Sequence, residues 1–334
     1  MTKVAVMGSG SFGSALAKVL ADQGNPTRMW TRRPELATSI NETRKNERYL
    51  GDLIFPPELS ATSDIAEAVT DAELVLFVVP SHATRGVAEI ARNHIADDAL
   101  ICSATKGIEN ETLMLMSEVM LDVFGEAAQP RLTYFSGPSF AKEIAAGVPT
   151  AVTVAGETEE AAERVQKEFA TANLRMYYTH DVVGVEMGGA LKNVVAIAAG
   201  AADGLGFGLN TRAALITRGL AEIARLAVEK GADPLTMAGL AGMGDLVLTC
   251  TGSLSRNRTV GFELGKGRTL QEILDTLGQV AEGVKTTKSA HELGQKLGVQ
   301  MPITDEVYRV LYEDKPAKQA VFDLMTRPLK HEQR

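Results

Sequence analysis

Apolar positions follow two different rhythms along this chain. In the first half, short β-branched or apolar runs predict strands at Val4–Met7, Arg28–Thr31, Leu74–Val79, Ala99–Cys102, Leu132–Ser136 and Ala151–Val154, with a weaker one at Met176–Tyr178. Helical spacing fills the intervals at Ser14–Gln23, Pro34–Asn41, Thr84–Asn93, Leu113–Val123 and Glu159–Ala170. Strands alternating with helices imply βαβ units and a mostly parallel sheet covered on both faces. From about Asp181 the strand signals stop. Helical periodicity alone continues, over Val185–Ala202, Ala213–Lys230, Asn257–Leu264, Leu270–Leu277, Thr286–Leu297 and Thr304–Tyr312, with Gly and Pro marking the breaks near Gly231–Pro234 and Gly298–Pro302. The expected architecture is an α/β domain over residues 1–180 followed by an all-helical domain over 181–334, with a ligand cleft between them.

The first run carries the strongest chemical signal. Lys3-Val4-Ala5-Val6-Met7 leads directly into Gly8-Ser9-Gly10-Ser11-Phe12-Gly13, and a helix-compatible stretch follows. A G-x-G-x-x-G string alone is compatible with any tight turn, but between a strand and a helix it is the dinucleotide fingerprint of a Rossmann-type domain. Gly8 makes the turn, Gly10 admits a pyrophosphate to the backbone, and Gly13 lets helix and strand pack closely. The helix N-terminus then offers unpaired N–H groups and partial positive charge to the phosphates. NAD-preferring folds place an acidic residue about 20 residues further on to bind the adenosine ribose. Here the second strand ends in Trp30-Thr31-Arg32-Arg33-Pro34, without a carboxylate. Two guanidiniums suit the 2′-phosphate of NADP, although a solvated basic turn would read the same.

Bulk properties narrow the class further. The 334 residues carry a formal charge of −8, which argues against a general nucleic-acid binder. The two cysteines, Cys102 and Cys250, lie far apart in no metal-ligand pattern, which favours a reducing cytoplasm over a disulfide framework. The apolar N-terminus is explained by the fingerprint rather than by a signal peptide. No uncharged run reaches the roughly 18–20 residues of a bilayer span; the nearest, Val194–Gly208, is broken by Asp203. No His/Cys/carboxylate cluster suggests a metal, and His82, His180 and His291 are isolated, so no histidine is assigned a catalytic role.

Three polar clusters interrupt apolar surroundings. Ser103-Ala104-Thr105-Lys106-Gly107 follows a strand, at the edge where open α/β sheets bind ligands; Lys106 fits either a solvated loop or a site. Ser136-Gly137-Pro138-Ser139-Phe140-Ala141 places hydroxyls and N–H groups at a helix start, where Ser139 could simply cap. Lys192 lies in the small-residue helical stretch Gly188-Gly189-Ala190-Leu191-Lys192-Asn193-Val194-Val195. A lysine there either snorkels to solvent or serves a site, and partial burial would lower its pKa toward the range useful for proton transfer. Downstream, Gly242-Met243-Gly244-Asp245-Leu246 adds a carboxylate able to orient Lys192, and Ser255-Arg256-Asn257 an anion-binding group.

Taken in order, Gly8–Gly13, Ser136–Ala141, Leu191-Lys192-Asn193-Val194, Gly208-Leu209-Asn210-Thr211, Ala241–Leu246 and Ser255-Arg256-Asn257 resemble the bacterial NAD(P)-dependent glycerol-3-phosphate dehydrogenases over nearly the whole chain. Met243 differs from the usual middle residue of its motif; no position that would carry chemistry departs. The resemblance implies a Rossmann-type domain and a helical domain like the C-terminal part of 6-phosphogluconate dehydrogenase. It implies reduction of dihydroxyacetone phosphate to sn-glycerol 3-phosphate with NADPH or NADH, without metal, for phospholipid synthesis in the cytoplasm, by a homodimer. By motif, Lys192 would be the proton donor and acceptor, Asp245 its orienting partner, and Lys106 a contact to substrate and cofactor. Gly137, Ser139, Ser255, Arg256 and Asn257 would hold the phosphorylated substrate. Ser11, Phe12, Arg32, Arg33, Ala141, Arg256, Val280 and Glu282 would line the cofactor, with Tyr49 a further addition.

Two rivals bear comparison. A dehydrogenase of the same build acting on a 3-hydroxy acid or a sugar-acid phosphate would want anion-binding groups beside the reacting carbon, whereas Lys192-Asn193 with Ser255-Arg256-Asn257 favours glycerol phosphate. A non-catalytic dinucleotide sensor would keep the glycine loop and lose Lys106, Lys192 or Asp245, and all three are present.

Overall fold

The computed structural model describes residues 1–277, 281–329 and 331–332. Its sheet comprises β1 (Val4–Met7), β2 (Thr27–Trp30), β3 (Leu59–Thr62), β4 (Leu74–Phe77), β5 (Leu100–Ser103), β6 (Leu132–Ser136), β7 (Thr150–Gly156) and β8 (Leu174–Thr179). The eight strands run in the order β3-β2-β1-β4-β5-β6-β7-β8. All neighbours are parallel except β6 and β7, which pair antiparallel. Successive side chains alternate between two cores, as a strand's period of two requires. Val4, Val6, Leu74 and Leu76 join the core on one face, while Ala5, Met7, Val75 and Phe77 join the core on the other. Each predicted strand is present within two residues of its expected ends, and β3 is an addition. The order reverses between β1 and β4, and the crevice at such a switch point is where doubly wound sheets bind ligands.

The sheet ends at Thr179, and a 23-residue helix, Val182–Gly204, begins after the Asp181 side chain accepts from Gly184 N at 2.9 Å. It is long and apolar enough to cross a membrane, but its surface is largely buried by the protein. It is the axis of the helical region: Leu209–Glu229, Asp245–Thr251, Arg256–Gly265 and Glu282–Leu297 pack around it. The helical core also takes in Ile108 and Leu115 from the loop after β5, so the segment that follows Lys106 is rooted in the second core. Glu186, buried on the central helix, adds a tie across the junction. It accepts from Ser117 N at 2.9 Å and from the Ser117 hydroxyl, and burial pushes its carboxyl up to about 8.

The central helix and Arg256–Gly265 approach backbone to backbone. A Cβ added at Gly261 would stand 1.9 Å from the Ile197 carbonyl oxygen, and one at Gly200 would stand 2.0 Å from that of Arg258. The contact is reciprocal and fixes the distance between Lys192 on one helix and Ser255-Arg256-Asn257 at the start of the other. Gly261→Ala is therefore expected to cost about 3 kcal/mol, the upper range for overpacking, in denaturant unfolding. A loss below about 0.5 kcal/mol, the level of an indifferent surface change, would contradict the close approach.

Candidate active site

The centre of the site is a carboxylate held between two ammonium groups. Asp245 is fully buried and opens the helix Asp245–Thr251, which emerges from a π-helical turn, Leu240–Gly244. Its Oδ1 accepts from Lys192 Nζ, and its Oδ2 accepts from Lys106 Nζ at 2.6 Å. The Thr249 hydroxyl, one turn on, lies 2.6 Å from the Asp245 carbonyl oxygen and 3.3 Å from Oδ1. Lys192 is 7% exposed, so it does not snorkel to solvent. Burial brings its pKa down to about 7, with the second cation, Lys106, acting in the same direction and Asp245 opposing. Burial alone would raise the Asp245 carboxyl; the Lys106 and Lys192 charges outweigh it and hold the group below the usual range. With Lys192 protonated, two cations share one anion, leaving one net positive charge in a largely buried site.

Lys106 is aimed by the turn after β6. Its Nζ donates to the Gly137 carbonyl at 3.2 Å, and the Ser139 hydroxyl donates to the same oxygen at 2.8 Å. Ser139 therefore does not cap the next helix, Ala141–Ala145, whose N-cap position is Phe140. Gly137 has φ of +138°, and a Cβ there would stand 2.9 Å from Val152 Cα, so both conformation and space demand glycine. The Lys106 ammonium also lies 5.8 Å from the centroid of the Phe12 ring, which joins the cluster to the glycine loop. A small cleft beside Lys106 is lined by Ser103, Ser136, Glu186 and Gly189 among others. The hydroxyls of Ser103 and Ser136 are buried there without hydrogen-bond partners.

Ser255-Arg256-Asn257 form the start of their helix in three different ways. The Ser255 hydroxyl caps it, accepting from Arg258 N at 3.2 Å. Arg256 is exposed, with Glu282 and Tyr49 in its electrostatic surroundings. Asn257 is a cross-tie: Nδ2 donates to Asn193 Oδ1 at 2.9 Å, and Oδ1 accepts from Gly283 N at 2.9 Å. Asn257 thus holds the helix Glu282–Leu297 against the central helix, beside Lys192.

The glycine loop fits a dinucleotide. Gly8 has φ of +131°, and a Cβ at Gly13 would stand 2.0 Å from the Gly8 carbonyl oxygen. A Cβ at Gly10 would meet nothing within 4 Å, so the loop is open where a pyrophosphate approaches. No side chain caps the helix Ser11–Asp22, which leaves its first-turn N–H groups for an anion. Arg32 is exposed after β2, Arg33 directly precedes the helix Pro34–Thr43, and Tyr49 is half-buried in the turn Glu47–Leu50. Ala141 opens the helix after Ser139. Glu282 reaches the nucleotide domain by accepting from the Ser81 hydroxyl at 2.8 Å. Val280 lies outside the described residues. Sequence reading passed over Ser81 and Thr249; Thr249 alone carried a signal, its spacing of four from Asp245 on one helix. Among the described residues no group of three His, Cys, Asp or Glu side chains could hold a metal.

A Rossmann-type nucleotide domain joined to a helical domain, with a Lys–Asp–Lys cluster where they meet, is the build of a two-domain nicotinamide-dependent oxidoreductase. Residues 3–162 match the family model for the NAD-dependent glycerol-3-phosphate dehydrogenase N-terminus, and residues 181–322 match the model for its C-terminus. The chain belongs to the NAD-dependent glycerol-3-phosphate dehydrogenase family. It is 54% identical over 330 residues to the glycerol-3-phosphate dehydrogenase [NAD(P)+] of Leptospira biflexa, with 99% of each chain covered. Over 327 residues it is 54% identical to that of Myxococcus xanthus, with 98% of each covered. A crystal structure of the Coxiella burnetii glycerol-3-phosphate dehydrogenase superposes with a TM-score of 0.94 at 39% identity, covering 98% of this chain and 99% of that one.

If Asp245 is what keeps two ammonium groups in this largely buried site, Asp245→Asn should fold but lose about 3–5 kcal/mol of unfolding free energy, the cost of breaking a buried ion pair. A loss under about 1 kcal/mol, typical of an exposed pair, would show that the carboxylate does not carry the cluster.

Proposed function

We propose that this protein interconverts dihydroxyacetone phosphate and sn-glycerol 3-phosphate with NADPH or NADH, with Lys192 as the acid–base group. The observation that carries the reading is the shared Asp245 carboxylate, which brings Lys106 and Lys192 to one point, with Lys106 beside Phe12 of the glycine loop. When bound, the nicotinamide supplies hydride to the carbonyl carbon. As the C–H bond forms, the carbonyl π pair moves to oxygen, and the net positive charge of the cluster stabilises it. Lys192 Nζ–H donates its proton to that oxygen and is left neutral; in oxidation the neutral amine takes the proton back. Asp245 fixes the amine's orientation without itself being protonated. Lys106, held by the Gly137 carbonyl, adds the second charge.

Arg256 is the substrate-phosphate anchor, supported by its exposure at a helix start. Binding a remote phosphate positions the carbonyl and so contributes to turnover. Asn257 and Ser255 support this anchor by holding the helix in place, with Gly137 and Ser139 doing the same for Lys106. Ser11, Phe12, Gly13, Tyr49, Ala141 and Glu282 form the cofactor wall, and Arg32 and Arg33 receive a 2′-phosphate. The product is a building block for glycerophospholipids. We place the enzyme in the cytoplasm, consistent with the free, buried Cys102 and Cys250, and read it as a homodimer, which sedimentation equilibrium tests.

Two outcomes check the assignment. Lys192→Ala should bind cofactor normally and lose about 10²–10⁴-fold in turnover, the typical contribution of one general acid. Near-normal turnover in folded protein would return Lys192 to a structural role. Arg32 and Arg33 changed together to Ala should lose catalytic efficiency mainly with NADPH, by about tenfold or more, because charge-assisted hydrogen bonds contribute roughly 1.5–3 kcal/mol before solvent screening. Equal losses with both cofactors, or strong NADH preference in the parent, would remove the arginines from 2′-phosphate recognition.

A further inference from the structure

Asn46 belongs to no predicted element, yet it is completely buried, immediately before the turn that carries Tyr49. Its Nδ2 donates to the Ser9 carbonyl at 3.0 Å and to the Ser14 hydroxyl at 2.8 Å. Ser14 in turn donates to the same Ser9 carbonyl at 3.2 Å. The Ser9 oxygen, inside the Gly8–Gly13 fingerprint, thus receives two donors from the protein interior. Asn46 Oδ1 is buried without a partner. That pattern fixes the amide's orientation, because a flipped amide would set Oδ1 against the Ser9 oxygen, acceptor against acceptor. Burying an orphaned carbonyl oxygen is unfavourable, and such groups persist where the arrangement serves something else.

We propose that Asn46 is the positioning residue of the nucleotide loop. By holding the Ser9 carbonyl inward, it keeps that oxygen away from an incoming pyrophosphate. The uncapped first-turn N–H groups of the helix Ser11–Asp22 are then the loop's anion-facing donors. The same amide anchors the segment carrying Tyr49, so the loop and that wall of the cofactor site are set together. The effect is on the pyrophosphate, which both cofactors share, and not on the 2′-phosphate. The inference rests on the reading of Gly8–Gly13 as the dinucleotide loop.

The test is a fluorescence titration of NADH and NADPH, with the substrate KM measured at saturating cofactor. Asn46→Ala and Asn46→Ser are expected to raise both dissociation constants about tenfold, with the KM for dihydroxyacetone phosphate within about twofold. Asn41→Ala is the control: Asn41 makes an equally close pair of hydrogen bonds, both at 2.8 Å, to the Ala61 backbone in the same domain. Its cofactor constants should stay within about twofold. Folded Asn46 variants with unchanged constants, or an equal loss in Asn41→Ala, would overturn the proposal. Ser14→Ala removes one of the two donors to Ser9 and should raise both constants about threefold whether or not the Asn46 variants fold; no change there also overturns it. Gly13→Ala separates the two readings. If it too leaves cofactor binding intact, the loop assignment has failed; if it abolishes binding while Asn46 variants do not weaken it, only the positioning role has failed.

Discussion

The structure depends on one unfavourable arrangement made stable: a buried aspartate shared by a buried lysine and a partly buried one at the junction of two domains. Taking an ion out of water costs several kcal/mol even after relaxation, so the three groups persist only because each satisfies the others. Asp245 is fully buried and bonded on both oxygens. Lys192 comes from the central helix, Lys106 from the loop after β5, and Asp245 from the helix that follows the π-helical turn. Neither domain alone supplies the cluster, and its net positive charge is the property a developing alkoxide requires.

Backbone proximity holds these elements to the necessary tolerance. Small residues let backbones approach until only glycine fits, at Gly200 and Gly261 between two helices and at Gly8 and Gly13 in the glycine loop. Side-chain amides then lock what the glycines bring together: Asn257 ties Asn193 to Gly283, and Asn46 ties the glycine loop to the Tyr49 segment. The two devices divide the labour between distance and orientation. They also explain how Lys192 can sit buried in a helix that is otherwise mostly Ala, Gly and Val.

Much of this was legible before folding. Strands of the central sheet are buried on both faces and read as continuous apolar runs, so β1 and β4 declare themselves. The strand Leu59–Thr62 does not: it is short, half Ser and Thr, and acquires its identity only by pairing with β2 at the sheet edge. The helix Asp245–Thr251 hid behind Gly242 and Gly244, whose low helix propensity is overridden by packing against the central helix. Lys192 and Asp245 were legible as isolated charges in apolar text, and the family resemblance joined them. Asn46 and Ser81 were not, because a polar residue that holds a neighbour in place leaves no periodic signature. The side chains of Ser139, Ser255 and Asn257 already bond to the protein, and that is invisible in sequence.

The central claim, that burial tunes Lys192 to act as both acid and base, is tested most directly by measuring kcat/KM against pH in both directions on one preparation. Reduction of dihydroxyacetone phosphate needs protonated Lys192 and should fall as pH rises through about 7; oxidation of glycerol 3-phosphate needs the neutral amine and should rise through the same value. Profiles that run parallel in the two directions, or that both inflect near the ordinary lysine value of 10.5, would contradict the account.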